Sequence, residues 1–144
     1  MTSKTILVLA ITAAFVAGTI ATANPVFAPP PDVEVEIDIK PRSDPNSINP
    51  QSKGVIPVAI LGSDLFDVGD VDTLLLVFGL AGATPTHPNG HFADVNDDGF
   101  TDLVTHYRVQ ETDIVPGDTE ACLIGELRDG TTFVGCDSVR TLGN

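Results

Sequence analysis

The segment EACLIGELRDGTTFVGCDS permits few backbone arrangements. Two runs rich in strand-forming residues flank Arg128-Asp129-Gly130, a turn sequence in which the glycine can adopt positive φ. If those three residues form the loop, Leu127 faces Thr131. Five positions back along each strand, Cys122 then stands opposite Cys136. That pair falls at a non-hydrogen-bonded position of the ladder, where facing Cα atoms approach to about 4.5 Å, within reach of a disulfide. Ile124 faces Val134 on the same side. Gly125 faces Phe133 on the other, where the ring can cover the glycine. Turn, register and cysteine position agree, so a hairpin closed by Cys122–Cys136 is expected.

The rest of the chain reads the same way. In DVEVEIDIK, Val33, Val35, Ile37 and Ile39 alternate with polar residues, the pattern of a strand with one wet face. PRSDPNSINPQSKG is a long turn-forming loop. GVIPVAILG suits a buried strand, with Pro57 implying an edge or a bulge. SDLFDVGDVD reads as a turn capped by Ser63 or Asp64, TLLLVFG as an apolar strand, and GATPTHPNGHFAD as a hairpin around Pro88-Asn89-Gly90. FTDLVTHYRV is a further strand. Six to seven short, mainly antiparallel strands and no amphipathic helix of any length predict an all-β sandwich. Val55, Val58, Ile60, Leu74 to Leu76, Val77, Phe78 and Phe133 are its expected core.

Acid is concentrated at one point. The formal net charge is −13, and fifteen of the 20 acids are Asp. Such a charge opposes nucleic acid or an anionic membrane as partner. Within it, ADVNDDGFTD places side-chain oxygens at Asp94, Asn96 and Asp98, turns at Gly99, and returns with Asp102. Calcium takes six to eight hard oxygens in a flexible cage. The three side chains, the Phe100 carbonyl and Asp102 can supply most of them, with Asp97 pointing outward. A bound Ca²⁺ is the simplest reason for crowding carboxylates that otherwise repel. The loop is not an EF-hand, because Thr105 stands where that loop needs glutamate. It resembles instead the DxDxDGxxD calcium loops between strands of integrin-type propeller repeats (FG-GAP repeats), with Asn96 in place of the second Asp.

At the N-terminus, Lys4 precedes an apolar run from Ile6 to about Ala21, and Ala21-Thr22-Ala23 is a small-x-small site. That order predicts a signal peptide over residues 1–23, cleaved before Asn24, and a secreted chain without a membrane span. The alternative is retention as an anchor. NPVFAPPP, residues 24–31, reads as an extended linker, and residues 32–144 as a single domain. Loss of Lys4 with the leader takes the formal charge to −14.

A wider resemblance spans nearly all of the remaining chain. VEIDIKPRSDPNSINPQSKGVIPVAIL, HFADVNDDGFTDLV and ETDIVPGDTEACLIGELRDGTTFVGCDSVRTL together resemble a module of exported bacterial and archaeal proteins. Those proteins carry IDIKPGSDPNSINPKSKG, VAIL and a DVNGDG loop. Arg42 and Asp97 stand where that module has glycine. The resemblance implies an extracellular β-domain and no particular activity.

Other chemistry is sparse. His87 and His91 would face each other across the PNG loop and could hold Zn²⁺ or Cu²⁺ given further ligands. Asp102 and His106 share a face of one strand, and Ser138 would complete a triad, but no nucleophile elbow accompanies them. The expected role is therefore a secreted, calcium-binding structural or binding module. Its partner would be a protein or glycan at the cell surface. The alternatives are a small hydrolase or lyase acting on polysaccharide, and a transition-metal binder using His87 and His91.

Overall fold

The computed structural model describes residues 28–143, so the expected signal peptide and the first half of the linker lie outside the described residues. Residues 28–31 are exposed and without regular structure, and the chain from Pro31 onward forms one compact unit. Among the described residues no helix is long and apolar enough to cross a membrane.

The fold is all-β. In chain order the strands are β1 (Val33–Glu34), β2 (Ile37–Ile39), β3 (Ser47–Ile48), β4 (Val55–Ile60), β5 (Val77–Phe78), β6 (His91–Ala93), β7 (Asp102–Arg108), β8 (Glu120–Glu126), β9 (Thr132–Ser138) and β10 (Arg140–Thr141). They exceed the expected six to seven because several are two-residue pieces. One four-stranded sheet runs β1-β9-β8-β5, a second runs β2-β4-β7-β6, and β10 pairs with β3. Two pairings are parallel, β1 with β9 and β10 with β3; the others are antiparallel.

The two larger sheets pack face to face. Leu123 and Phe133 of one, and Ile39, Val58, Ile60, Leu103 and Tyr107 of the other, are fully buried in one apolar cluster. Phe78 of the first sheet meets Tyr107 of the second with ring centroids 5.1 Å apart. The Tyr107 hydroxyl accepts a hydrogen bond from Thr105 Oγ1 at 2.8 Å, which satisfies it inside the core. Burial pushes its pKa well above the ordinary value, and the Thr105 bond offsets this in part.

The hairpin forms in the expected register. Cys122 pairs with Cys136, Ile124 with Val134 and Gly125 with Phe133. The disulfide is present, with Cα atoms 4.0 Å apart. Leu127 N–H donates to the Thr131 carbonyl, and Gly130 has φ 91°.

Other segments depart from expectation for identifiable reasons. DVEVEIDIK is not one strand: β1 joins one sheet and β2 the other. The chain crosses between sheets beside Gly135, where an added Cβ would lie 2.6 Å from Ile37 Cγ2 and 2.8 Å from the Val35 carbonyl oxygen. β4 is central rather than an edge. Its proline is tolerated because Pro57 stands opposite Lys40, just where β2 ends. The Pro57 carbonyl accepts from Lys40 N–H, and the donor that proline lacks faces that same strand end. In TLLLVFG, residues Thr73–Leu75 form a 3₁₀ turn whose Asp72 carboxylate accepts from Leu74 N–H. Leu74 and Leu75 are accordingly exposed, and only Leu76 and Phe78 enter the core. Val55, also expected inside, is exposed at the start of β4. In SDLFDVGDVD, Ser63 caps a first turn as expected, its Oγ accepting from Leu65 N–H, and Asp67 caps a second, accepting from Gly69 N–H. The PNG hairpin does not form. β6 pairs with β7, and Thr86 N–H donates to the His106 carbonyl, so both flanks of the PNG turn lie along one edge of β7.

Candidate metal centre

Residues 94–101 connect β6 to β7 and carry most of the acidic motif. Asp94 organises the loop from its start. Its Oδ1 accepts from Asp98 N–H at 3.2 Å and its Oδ2 from Gly99 N–H at 2.9 Å. The loop therefore curls back on its first carboxylate. Asp98 Oδ1 accepts from Phe100 N–H at 2.9 Å. Asn96 Nδ2 donates to Asp98 Oδ2 at 3.1 Å. Asp97 (φ 58°) and Gly99 (φ 90°) both take left-handed backbone, which makes so tight a curl possible.

Asn96, Asp97 and Asp98 are exposed and Asp94 is half-buried, whereas Asp102 is fully buried. Asp102 opens β7. Its Oδ1 accepts from Gly62 N–H at 2.9 Å and its Oδ2 from Val95 N–H at 2.8 Å. One carboxylate thus ties the acidic loop to the segment after β4. The approach is close enough to require glycine, since a Cβ on Gly62 would lie 2.1 Å from the Thr101 carbonyl oxygen. Composition could not disclose this duty of Asp102, because the Gly62 amide comes from a segment 40 residues away.

The five expected ligands therefore divide. Asp94, Asn96 and Asp98 gather at the loop's outer surface. Phe100 follows them, and its carbonyl accepts no hydrogen bond from the described residues. Asp102 closes the loop from inside. The oxygens of Asp94, Asp98 and Asp102 do not all lie within 4.8 Å of one another. Among the described residues the one trio of His, Cys, Asp or Glu ligand atoms that does is Glu120, Cys122 and Cys136, and there both sulfurs are committed to the disulfide. The donor set of the loop still fits a hard cation: three carboxylates, an amide oxygen and a free carbonyl. Asn96 Nδ2 supplies the positive end of a dipole to Asp98, and its Oδ1 accepts from Asp98 N–H at 3.4 Å.

The remaining candidates do not assemble. His87 and His91 are exposed and not paired across a ladder, since His91 stands opposite Val104 of β7. Both Asp102 oxygens are occupied by backbone amides rather than by His106. No protein-family model, no curated protein and no solved structure matches the chain.

Proposed function

We propose that this protein is a secreted β-sandwich module stabilised by Ca²⁺ in the loop between β6 and β7, with a binding or structural role at the cell surface or in the extracellular matrix. The observation that carries the reading is the curl of residues 94–100 around Asp94. It wraps the amides of Asp98 and Gly99 onto the Asp94 carboxylate and sets the Asn96 amide against Asp98, while Asp102 anchors the far end to the sheet. An ion there would fix the entry of β7, a central strand, and so couple metal binding to folding. The disulfide supports an oxidising compartment, and the apolar leader with its small-x-small site supports export. The resemblance to the DVNGDG module points the same way. The partner would be a protein or glycan, met through loops beside the ion.

The test is thermal melting in chelator and in millimolar calcium. Extracellular modules bind calcium at roughly 10⁻⁴ to 10⁻³ M. At one hundred times the dissociation constant, a ligand held only by the folded state adds about 2.7 kcal/mol. For a domain of this size the midpoint should rise by on the order of 5 to 15 °C. Equal midpoints in the two buffers would return the loop to an ordinary Asp-rich turn.

A further inference from the structure

A second group of oxygens lies away from that loop, at the end of the sandwich where β9 meets the edge strand β2. Asp38, Asp44, Asn46 and Asp137 line one hollow there. Asp137 is held by three N–H donors: Ile39 N–H and Asn46 Nδ2 on its Oδ2, each at 2.9 Å, and Ser138 N–H on its Oδ1 at 2.7 Å. It thereby caps the free edge of β2. Asn46 is only 8% exposed. Its Nδ2 also donates to the Ser138 carbonyl at 2.9 Å, so both groups that hold the amide belong to the wall of the hollow. That leaves Asn46 Oδ1, the one buried side-chain polar atom without a partner among the described residues. Such an orphan acceptor is costly to the fold unless something fills it.

The surroundings indicate what would fill it. Asp38 and Asp137 are both half-buried and near enough to repel. Burial, then the carboxylates of Asp137 and Asp102, raise the Asp38 pKa above its ordinary value. Arg42 lines the hollow but makes no ion pair; among the described residues the one salt bridge is Arg108–Glu111. Two neighbouring carboxylates with no ion-pair partner, beside a buried, unpartnered amide oxygen, are the donor chemistry of a hard divalent cation. A neutral hydrogen-bond donor could satisfy Asn46 but would leave the carboxylate charge.

We propose a second Ca²⁺ site in this hollow, with Asp38, Asn46 Oδ1 and Asp137 as protein ligands, Asp44 as an outer carboxylate, and water completing the shell. The ion would lock the 40–46 loop onto the end of β9. This site shares no ligand with the loop between β6 and β7.

Equilibrium dialysis of the chelator-stripped chain against Ca²⁺ alone, in the millimolar range, counts the ions. The parent should hold two per chain. Asp98→Ala should keep one, Asp38→Asn should keep one, and the double variant none. Asp38→Asn preserves shape at a half-buried position. Circular dichroism of each variant in chelator should match the parent. If the parent holds one ion that survives Asp98→Ala but not Asp38→Asn, this site stands and the reading of the acidic loop fails. If Asp98→Ala binds no calcium, or Asp38→Asn binds as much as the parent, the second site is overturned.

Discussion

Arg42 and Asp97 occupy left-handed backbone, with φ 73° and 58°. The turns are of the glycine type although the residues are not. A non-glycine residue in that region costs roughly 1–2 kcal/mol, against about 0.5–1 kcal/mol of entropy that glycine itself loses on folding. Arg42→Gly should therefore raise stability by up to about 1 kcal/mol in urea denaturation, and a fall would reveal a contact of the Arg42 side chain that matters more than its backbone. Asp97→Gly should gain less, since Asp tolerates this region better, and should keep the calcium response. Asp98 and Asp102 separate two duties that the motif merges. Asp98→Ala removes an exposed side chain of the proposed calcium loop, so its midpoint should match the parent's closely in chelator and lose the part of the rise in calcium that this loop supplies. Asp102→Ala strands the buried amide of Gly62 and the part-buried amide of Val95. At about 1–3 kcal/mol for each orphaned group, it should be destabilised by roughly 2–6 kcal/mol even in chelator. Equal behaviour of the two variants in chelator would contradict that division.

Elements are held by close approaches as much as by hydrophobic pattern. A Cβ on Gly125 would lie 2.6 Å from both Leu76 Cδ2 and Phe133 Cζ, which are side-chain atoms, whereas one on Gly135 would also strike the Val35 backbone at 2.8 Å. Side chains can shift and backbone yields less. Gly125→Ala should cost about 1–3 kcal/mol, the usual range for overpacking, and Gly135→Ala should cost more, because it blocks the crossing from β1 to β2. A ranking in the opposite order by chemical denaturation would mean that β1 is dispensable. The disulfide closes a short loop within a hairpin already zipped by its ladder. Replacing both cysteines with serine should lower stability by about 3 kcal/mol at most and leave the sheet intact by far-ultraviolet circular dichroism. The alternation in residues 33–40 announced extended chain, yet it could not say that the chain changes sheets halfway. A period of two specifies faces, not partners.

For the whole molecule, 20 acids stand against seven Lys and Arg, and among the described residues one ion pair forms, between exposed side chains. Self-repulsion should therefore weaken the metal-free fold. Raising salt from about 0.02 to 0.3 M in chelator shortens the screening length from over 20 Å to below 10 Å and should lift the melting midpoint by a few degrees. A midpoint that falls over this range would show that attractive pairs dominate. The sequence by itself determined what depends on local spacing: the all-β class, the β8–β9 register with its disulfide and Gly125 under Phe133, and the crowding of oxygens from Asp94 to Asp98. Each rests on residues within one turn or one hairpin, where the chain's own geometry fixes who meets whom. Tertiary structure alone decided the split of β1 from β2, the central place of β4 despite Pro57, the attachment of β6 to β7, the burial of Asp102 under the Gly62 amide, and the meeting of Asp38, Asn46 and Asp137. Most of those partners are separated by tens of residues, and only the packing of two sheets, excluding water and forcing each polar group to find an acceptor or donor nearby, brings them together.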